Sequence, residues 1–298
     1  MELMQRMPRT TLTPRERWSR AGLWALCAFT AFTLLGYATF GLHPTLLTRV
    51  PPQVAGIYGI AFRLFAVGHV LIAGAVLFLF LSLYAGRRWL AAFATLYAIS
   101  LGSELMGTSM GIPFGEYSYT PLLGAKWFNL VPLVIPLSWF FMALPSYAMA
   151  LRALPDSGQT ARRVLLASLI LVSWDLALDP AMSYATKYWE WGETGPYYGM
   201  PLLNLLGWYV TGLVLMGALA ALRSEAWIRD LPHRWLAGFY LANLSLPLGM
   251  SLAAGLWGAV AGTLVALAAS YGAARLLAGR TEPARRVPGR PSVSEVGA

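Results

Sequence analysis

The chain has 298 residues, 57% of them hydrophobic and only 12% charged, with a formal net charge of +9. That balance excludes an ordinary soluble domain. The basic excess is segregated between apolar segments instead of forming a patch, which excludes nucleic-acid binding.

Residues 1–18 are polar and Arg-rich and read as a disordered tail, as do residues 279–298. Residues 19–278 read as one helical membrane domain. Apolar runs near bilayer-spanning length cover about 21–42, 57–84, 89–110, 127–150, 164–183, 201–222, 235–254 and 256–277. The first run is long and has no small-residue cleavage pattern after a short core, so it is not expected to be a cleaved signal. The last two runs form one apolar stretch, with Asn243, Pro247 and Gly255 expected to mark a tight turn. The fold class expected is all-α, a polytopic membrane protein with about eight transmembrane helices. All Lys and Arg except Arg49, Arg63, Lys126 and Lys187 then fall on one face. The positive-inside rule puts that face, and both termini, in the cytoplasm, with the cell (inner) membrane as the expected location. Cys27, the single cysteine, reads as a small buried hydrophobe.

Three acids interrupt the apolar runs: Glu104 in the third, and Asp175 and Asp179 in the fifth. A charged side chain near a bilayer centre costs roughly 2.5–3.5 kcal/mol on insertion scales, so such residues point to function. At about 1.5 Å per residue, Asp175 lies roughly 17 Å along its helix and Glu104 about 22 Å along its own. Both helices run the same way, so the acids share a depth in the outer half. Asp175 and Asp179 are four apart and share a helix face. The loops that follow, Gly111–Lys126 and Ser183–Met200, are rich in Gly, Tyr and Trp.

The two hairpins echo one another. Residues 89–150 carry Glu104, then Gly115-Glu-Tyr-Ser-Tyr119, then Asn129 and Trp139. Residues 164–222 carry Asp175 and Asp179, then Gly195-Pro-Tyr-Tyr-Gly199, then Asn204 and Trp208. Acid, aromatic loop, asparagine and tryptophan recur in that order, as in a degenerate parallel repeat whose polar faces converge.

Two carboxyl groups on one face in a low dielectric cannot both ionise cheaply, so one keeps its proton. Such an acid can protonate a weak base, and ring faces can stabilise a developing cation by roughly 0.5–2 kcal/mol each. Tyr117, Tyr119, Trp174, Trp189, Trp191, Tyr197, Tyr198 and Trp208 are candidates for that lining, with Asn129 and Asn204 as polar contacts. The combination suits protonation of an isolated carbon–carbon double bond followed by capture of water. The acids could instead pair with one another or with Arg63 to set packing, and the asparagines could cap or bridge helices. Glu116, Glu190 and Glu193 lie in outer loops and read as solvated.

Other chemistries fit less well. Three histidines (His43, His69, His233) are too few for a His-box di-iron site, and no strand pattern or Gly-rich phosphate loop is present. Asp175-x-x-x-Asp179 has the spacing of one diphosphate–magnesium motif of membrane prenyltransferases, but the second, longer Asp-rich motif is missing. No metal site is expected. A proton-coupled transporter, with the acids as a relay, is the alternative from a different class.

The stretches Glu104-Leu-Met-Gly107, Gly111-Ile-Pro-Phe-Gly-Glu-Tyr-Ser-Tyr119, Val131-Pro-Leu-Val-Ile-Pro-Leu-Ser-Trp139, Trp174-Asp-Leu-Ala-Leu-Asp-Pro-Ala-Met182, Tyr188-Trp-Glu-Trp191, Gly195-Pro-Tyr-Tyr-Gly-Met-Pro-Leu-Leu-Asn204 and Gly207-Trp208 resemble the CruF-type carotenoid hydratases. That integral-membrane group includes the bisanhydrobacterioruberin hydratases of haloarchaea. The resemblance covers roughly residues 60–250. The first and last spans and the tails carry no diagnostic residues. It implies cofactor-free addition of water across the terminal 1,2 (or 1′,2′) double bond of an acyclic carotenoid end, similar to γ-carotene or lycopene or to a C50 precursor, giving a tertiary alcohol. The partners it implies are a carotenoid drawn from the lipid phase, water, and other membrane enzymes of the carotenoid pathway. The assignment of Asp175, Asp179 and Glu104 as catalytic rests on the residue chemistry instead. One aspartate protonates C2, and Glu104 or the second aspartate orients and deprotonates water. On that reading, Asp175→Asn abolishes product.

Overall fold

The structure is a computed structural model and describes residues 12–278. The first helix, α1 (Pro14–Gly36), starts inside the stretch expected to be tail. Thr13 accepts from the Glu16 N–H, the Glu16 carboxylate accepts from the Thr13 N–H at 2.8 Å, and Pro14 occupies the first helical position. This reciprocal cap and the proline start a helix there, so residues 14–18 are helical. The remainder of that tail, residues 1–11, and residues 279–298 lie outside the described residues.

The helices that follow are α2 (Pro52–Tyr84), α3 (Trp89–Met110), α4 (Val134–Ala153), α5 (Thr160–Asp179), α6 (Leu202–Ala221), the single turn α7 (Glu225–Ile228), α8 (His233–Ala253) and α9 (Trp257–Ala278). Among the described residues, eight helical segments are long and apolar enough to cross a membrane. The protein is an all-α, multi-pass membrane protein. The turn between α8 and α9 falls at Gly255, whose φ of +71° suits glycine. Asn243 and Pro247, expected at that turn, instead lie inside α8. A membrane helix tolerates an internal proline where neighbouring groups re-satisfy the backbone.

The centre of the bundle is α4 and α5. α5 packs against α4, α6, α8 and α9, while α3 packs on α4 and α6. The two acid-bearing helices therefore belong to adjacent hairpins. α1 and α9 are peripheral and turn Trp24, Phe32, Val265 and Tyr271 outward, as lipid-facing surfaces do.

The loops after α3 and α5 hold two short ribbons. β1 (Tyr117–Tyr119) pairs antiparallel with β4 (Trp189–Trp191), with Tyr117 opposite Trp191 and Tyr119 opposite Trp189. β2 (Lys126–Trp127) pairs with β3 (Val131–Pro132). No strand was expected. The reason is legible afterwards: Tyr-Ser-Tyr and Trp-Glu-Trp alternate aromatic and polar at period two, but each is too short to signal alone. Only their pairing, across about 70 residues of chain, makes a ribbon. It clips the loops of the two hairpins together over the acids.

At the opposite end, Arg163 ties loops together. Its guanidinium is buried, donates to the Leu154 and Asp156 carbonyls, and pairs with Glu225 at 2.6 Å, where the Tyr147 hydroxyl also donates at 2.7 Å. Removing one partner of a buried pair strands the other. Arg163→Met is therefore expected to lower stability by about 3–5 kcal/mol, read as a lower thermal midpoint in detergent. An unchanged midpoint would show that the pair contributes nothing.

Candidate active site

Glu104 is buried on α3 and accepts three hydrogen bonds. Tyr117 and Tyr119 donate to Oε2 at 2.6 and 2.8 Å, and Trp139 Nε1 on α4 donates to Oε1 at 2.8 Å. A carboxylate, which only accepts, matches three convergent donors. The β1 alternation makes this happen: Tyr117 and Tyr119 face the bundle while Ser118 faces out. Burial pushes both tyrosine hydroxyls well above their usual range, and the neighbouring Glu104 charge adds to it. Both therefore stay protonated donors. Lys126 Nζ donates to the Tyr119 carbonyl and braces the strand.

Asp179 is the last residue of α5 and is also buried. Trp189 Nε1 on β4 donates to its Oδ1 at 3.0 Å, and the Asn204 amide on α6 donates to its Oδ2. The same amide reaches Asp175 Oδ2 at 3.5 Å, and Asp175 Oδ1 is buried without a hydrogen-bond partner. Beyond Asp179, Pro180–Ala185 winds as a wider π-helical turn, a form that recurs at functional sites. Ser183 steadies it by donating to the Asp179 carbonyl at 2.7 Å and accepting from Trp191 Nε1 at 3.1 Å.

Glu104 and Asp179 wall one cavity of about 30 Å³, together with Phe114, Tyr117, Tyr119, Trp139, Trp189, Trp191, Asn204 and Trp208. One water needs roughly 10–15 Å³ on this measure, so the space suits one or two small groups. Its wall is aromatic: Trp139 and Trp208 stack at 3.9 Å, and Trp174 meets Trp208 edge-on at 5.8 Å. At Gly207 a Cβ would lie 2.5 Å from the Pro113 carbonyl oxygen. The missing side chain lets the turn before β1 dock on α6.

Two larger spaces adjoin this pocket. An apolar cavity of about 390 Å³ shares Ile135, Ser138, Leu178 and Trp189 with it and runs between α1, α2, α4, α5 and α8. Its outer wall includes Phe32, Val54 and Ile57, which are exposed on the lipid-facing side of α1 and α2. A polar vestibule of about 520 Å³, lined by Thr108, Ser109, Glu116, Ser118 and Glu190, shares Tyr117 and Trp191 with the pocket. The pocket that holds the carboxyl groups thus adjoins an apolar space and a polar one.

Not every expected residue meets there. Asp175 is one turn below Asp179 and walls none of these spaces. Trp174 lines the apolar cavity. Asn129, expected as the counterpart of Asn204, is exposed in the β2–β3 turn with φ +61°. The α4 helix starts seven residues later than its apolar run, which leaves Asn129 in the loop. Tyr197 donates to the Leu176 carbonyl at 2.8 Å, and the Tyr198 hydroxyl accepts from the Gly258 N–H at 2.9 Å. Both brace their loop against α5 and α9 through backbone groups. The Arg63 side chain, named as an alternative partner, lies outside the described residues. Trp139 was missed as the Glu104 donor, although its place opposite Trp208 in the hairpin echo was the available signal. The contribution of α1, α2 and α8 to the apolar cavity had no sequence signal.

The arrangement defines a class: a multi-pass membrane protein with an aromatic-walled pair of acids between an apolar, lipid-side cavity and a polar vestibule. Residues 64–270 match a family described as "Carotenoid biosynthesis protein", and the chain belongs to that family. A similar characterised relative is the bisanhydrobacterioruberin hydratase of Haloarcula japonica, 35% identical over 187 residues. That alignment covers 62% of this chain and 58% of the relative, so the chain matches little more than half of the relative's length. No solved structure matches the chain.

Proposed function

We propose that this protein is a carotenoid 1,2-hydratase of the cell membrane, with both termini in the cytoplasm, adding water to the terminal double bond of an acyclic carotenoid end similar to γ-carotene or lycopene. The observation that carries the reading is the meeting of Glu104 and Asp179 in one aromatic pocket, contiguous with a cavity that opens toward lipid. The family membership and the relative's name support the choice of substrate.

The polyene slides in from the bilayer between α1 and α2, and its isopropylidene end reaches the pocket. A cavity of about 390 Å³ holds one end of such a molecule, and the rest stays against apolar helix faces. Asp179 gives its proton to C2, and the π electrons form the new C–H bond. The tertiary cation left at C1 lies among indole faces beside the Glu104 carboxylate, which stabilise it electrostatically. Water adds through an oxygen lone pair, and the oxonium proton returns to Asp179. Atoms and charge balance, and no cofactor is consumed.

The test is expression in a cell that accumulates lycopene or γ-carotene. A more polar pigment, heavier by one water, is the expected result. An unchanged pigment profile with abundant protein would overturn the reading, and proton-coupled uptake of a solute would then favour transport.

A further inference from the structure

Hydration requires one ordered water in a region walled almost wholly by hydrocarbon. The apolar cavity contains a polar feature that the acids do not account for. Nine buried side-chain atoms among the described residues have no hydrogen-bond partner, and four of these belong to residues lining this one cavity: Tyr37 Oη, Tyr58 Oη, Trp174 Nε1 and Asn243 Oδ1. Buried polar groups are rarely left so, and a cluster along one cavity points to a polar ligand atom there.

Two of the four are hydroxyls, which can both donate and accept. Trp174 and Asn243 are different, a lone donor and a lone acceptor. Both side chains are more than nine-tenths buried, at 4% and 1% exposure. They stand on facing helices between two cross-links: Tyr240 Oη donates to the Ile170 carbonyl at 2.7 Å, and Ser251 Oγ donates to the Ala177 carbonyl at 3.3 Å. Trp174 and Asn243 thus both fall within the cross-linked stretch of α5 and α8, and both line the cavity. Its amide orientation is fixed, because Nδ2 donates to the Phe239 carbonyl at 2.9 Å and a flipped amide could not. That leaves Oδ1 as the acceptor. Pro247, one turn on, also lines the cavity and has no N–H to offer the Asn243 carbonyl. Trp174 touches Trp208, whose other face meets the Glu104 partner Trp139.

We infer that Trp174 Nε1–H and Asn243 Oδ1 form the seat of the attacking water, on the cavity side of the reacting double bond. The inference rests on the hydratase reading and extends it to a second pair of groups that touch a reactant. Trp174 donates to the water oxygen, and Asn243 accepts one of its protons. The remaining lone pair is free to form the C–O bond at C1, and the second proton leaves for the aspartate that has just been emptied.

The seat separates two steps that product yield alone confounds. If C2 is protonated but water is not held, the cation loses a proton and returns to alkene. In D2O the recovered carotenoid then carries deuterium without having gained oxygen. The experiment uses the full chain in lipid nanodiscs with lycopene in D2O, read by mass spectrometry. For Asn243→Leu, of similar volume, and Trp174→Phe, which keeps a ring but loses the N–H, hydrated product is expected to fall on the order of 10-fold or more, the size of one lost hydrogen bond. Deuterium exchange into recovered lycopene is expected to stay near the wild-type rate or rise. Asp179→Asn is expected to lose both signals. Normal hydration in both variants would overturn the seat, as would parallel loss of hydration and exchange. Trp174→Phe serves as the independent arm should Asn243→Leu fail to accumulate. Wild-type protein that neither hydrates nor exchanges would remove the hydratase reading itself, and the seat with it.

Discussion

Asp179→Asn is expected to lower hydrated carotenoid by at least about 100-fold, the usual weight of a positioned general acid, with protein level unchanged. The substitution is nearly isosteric. Asn can still accept from Trp189 Nε1 through its carbonyl oxygen, and Asn204 can turn its own carbonyl toward the new amide, so the fold is not the casualty. What disappears is a transferable proton at the wall of the pocket. Pigment extracted from a lycopene-accumulating strain, normalised to immunodetected protein, measures the effect. Normal output from Asp179→Asn would end the role proposed for it. Geometry moves to Asp179 the expectation first attached to Asp175, because Asp175 walls none of the three spaces described above. Asp175→Asn is expected to retain more activity than Asp179→Asn.

Glu104→Gln should cost about 100-fold as well, by a different route. Three donors converge on the two oxygens of Glu104. A glutamine presents one carbonyl and two N–H groups, so at least one donor loses its acceptor, at about 1–3 kcal/mol for a buried group. The negative charge facing the cation also disappears, and a preorganised charge of this kind is worth on the order of 10²–10³ in rate. Hydration and deuterium exchange should fall together, in contrast to the water-seat variants, and the thermal midpoint should drop. Full exchange with Glu104→Gln would show that Glu104 does not stabilise the cation.

Much of the local architecture was written in the chain. Eight apolar runs specified eight spans because a bilayer-spanning helix needs a contiguous hydrophobic length, and contiguity is visible in one dimension. Glu104, Asp175 and Asp179 stood out because ionisable groups in such runs are costly. The echo of Trp139 and Trp208 hinted that the two hairpins face one another, and the stacked indoles are where they meet. The loop residues were less legible. Tyr117, Tyr119, Trp189 and Trp191 reach the acids through a ribbon only three residues long on each side. Tyr197 and Tyr198, of similar composition and in a similar loop, brace backbone instead.

The sequence by itself determined that this is a polytopic α-helical membrane protein carrying buried acids and aromatic loops, because span length, charge cost and side-chain type are properties of local stretches. Tertiary structure alone decided which acid meets which. It placed Asp179 and not Asp175 at the shared pocket, gave Glu104 its three donors from two separate elements, and drew α1, α2 and α8 into the cavity wall. Those outcomes depend on helix rotation and on pairing between segments far apart in the chain, and no window along the sequence contains both partners.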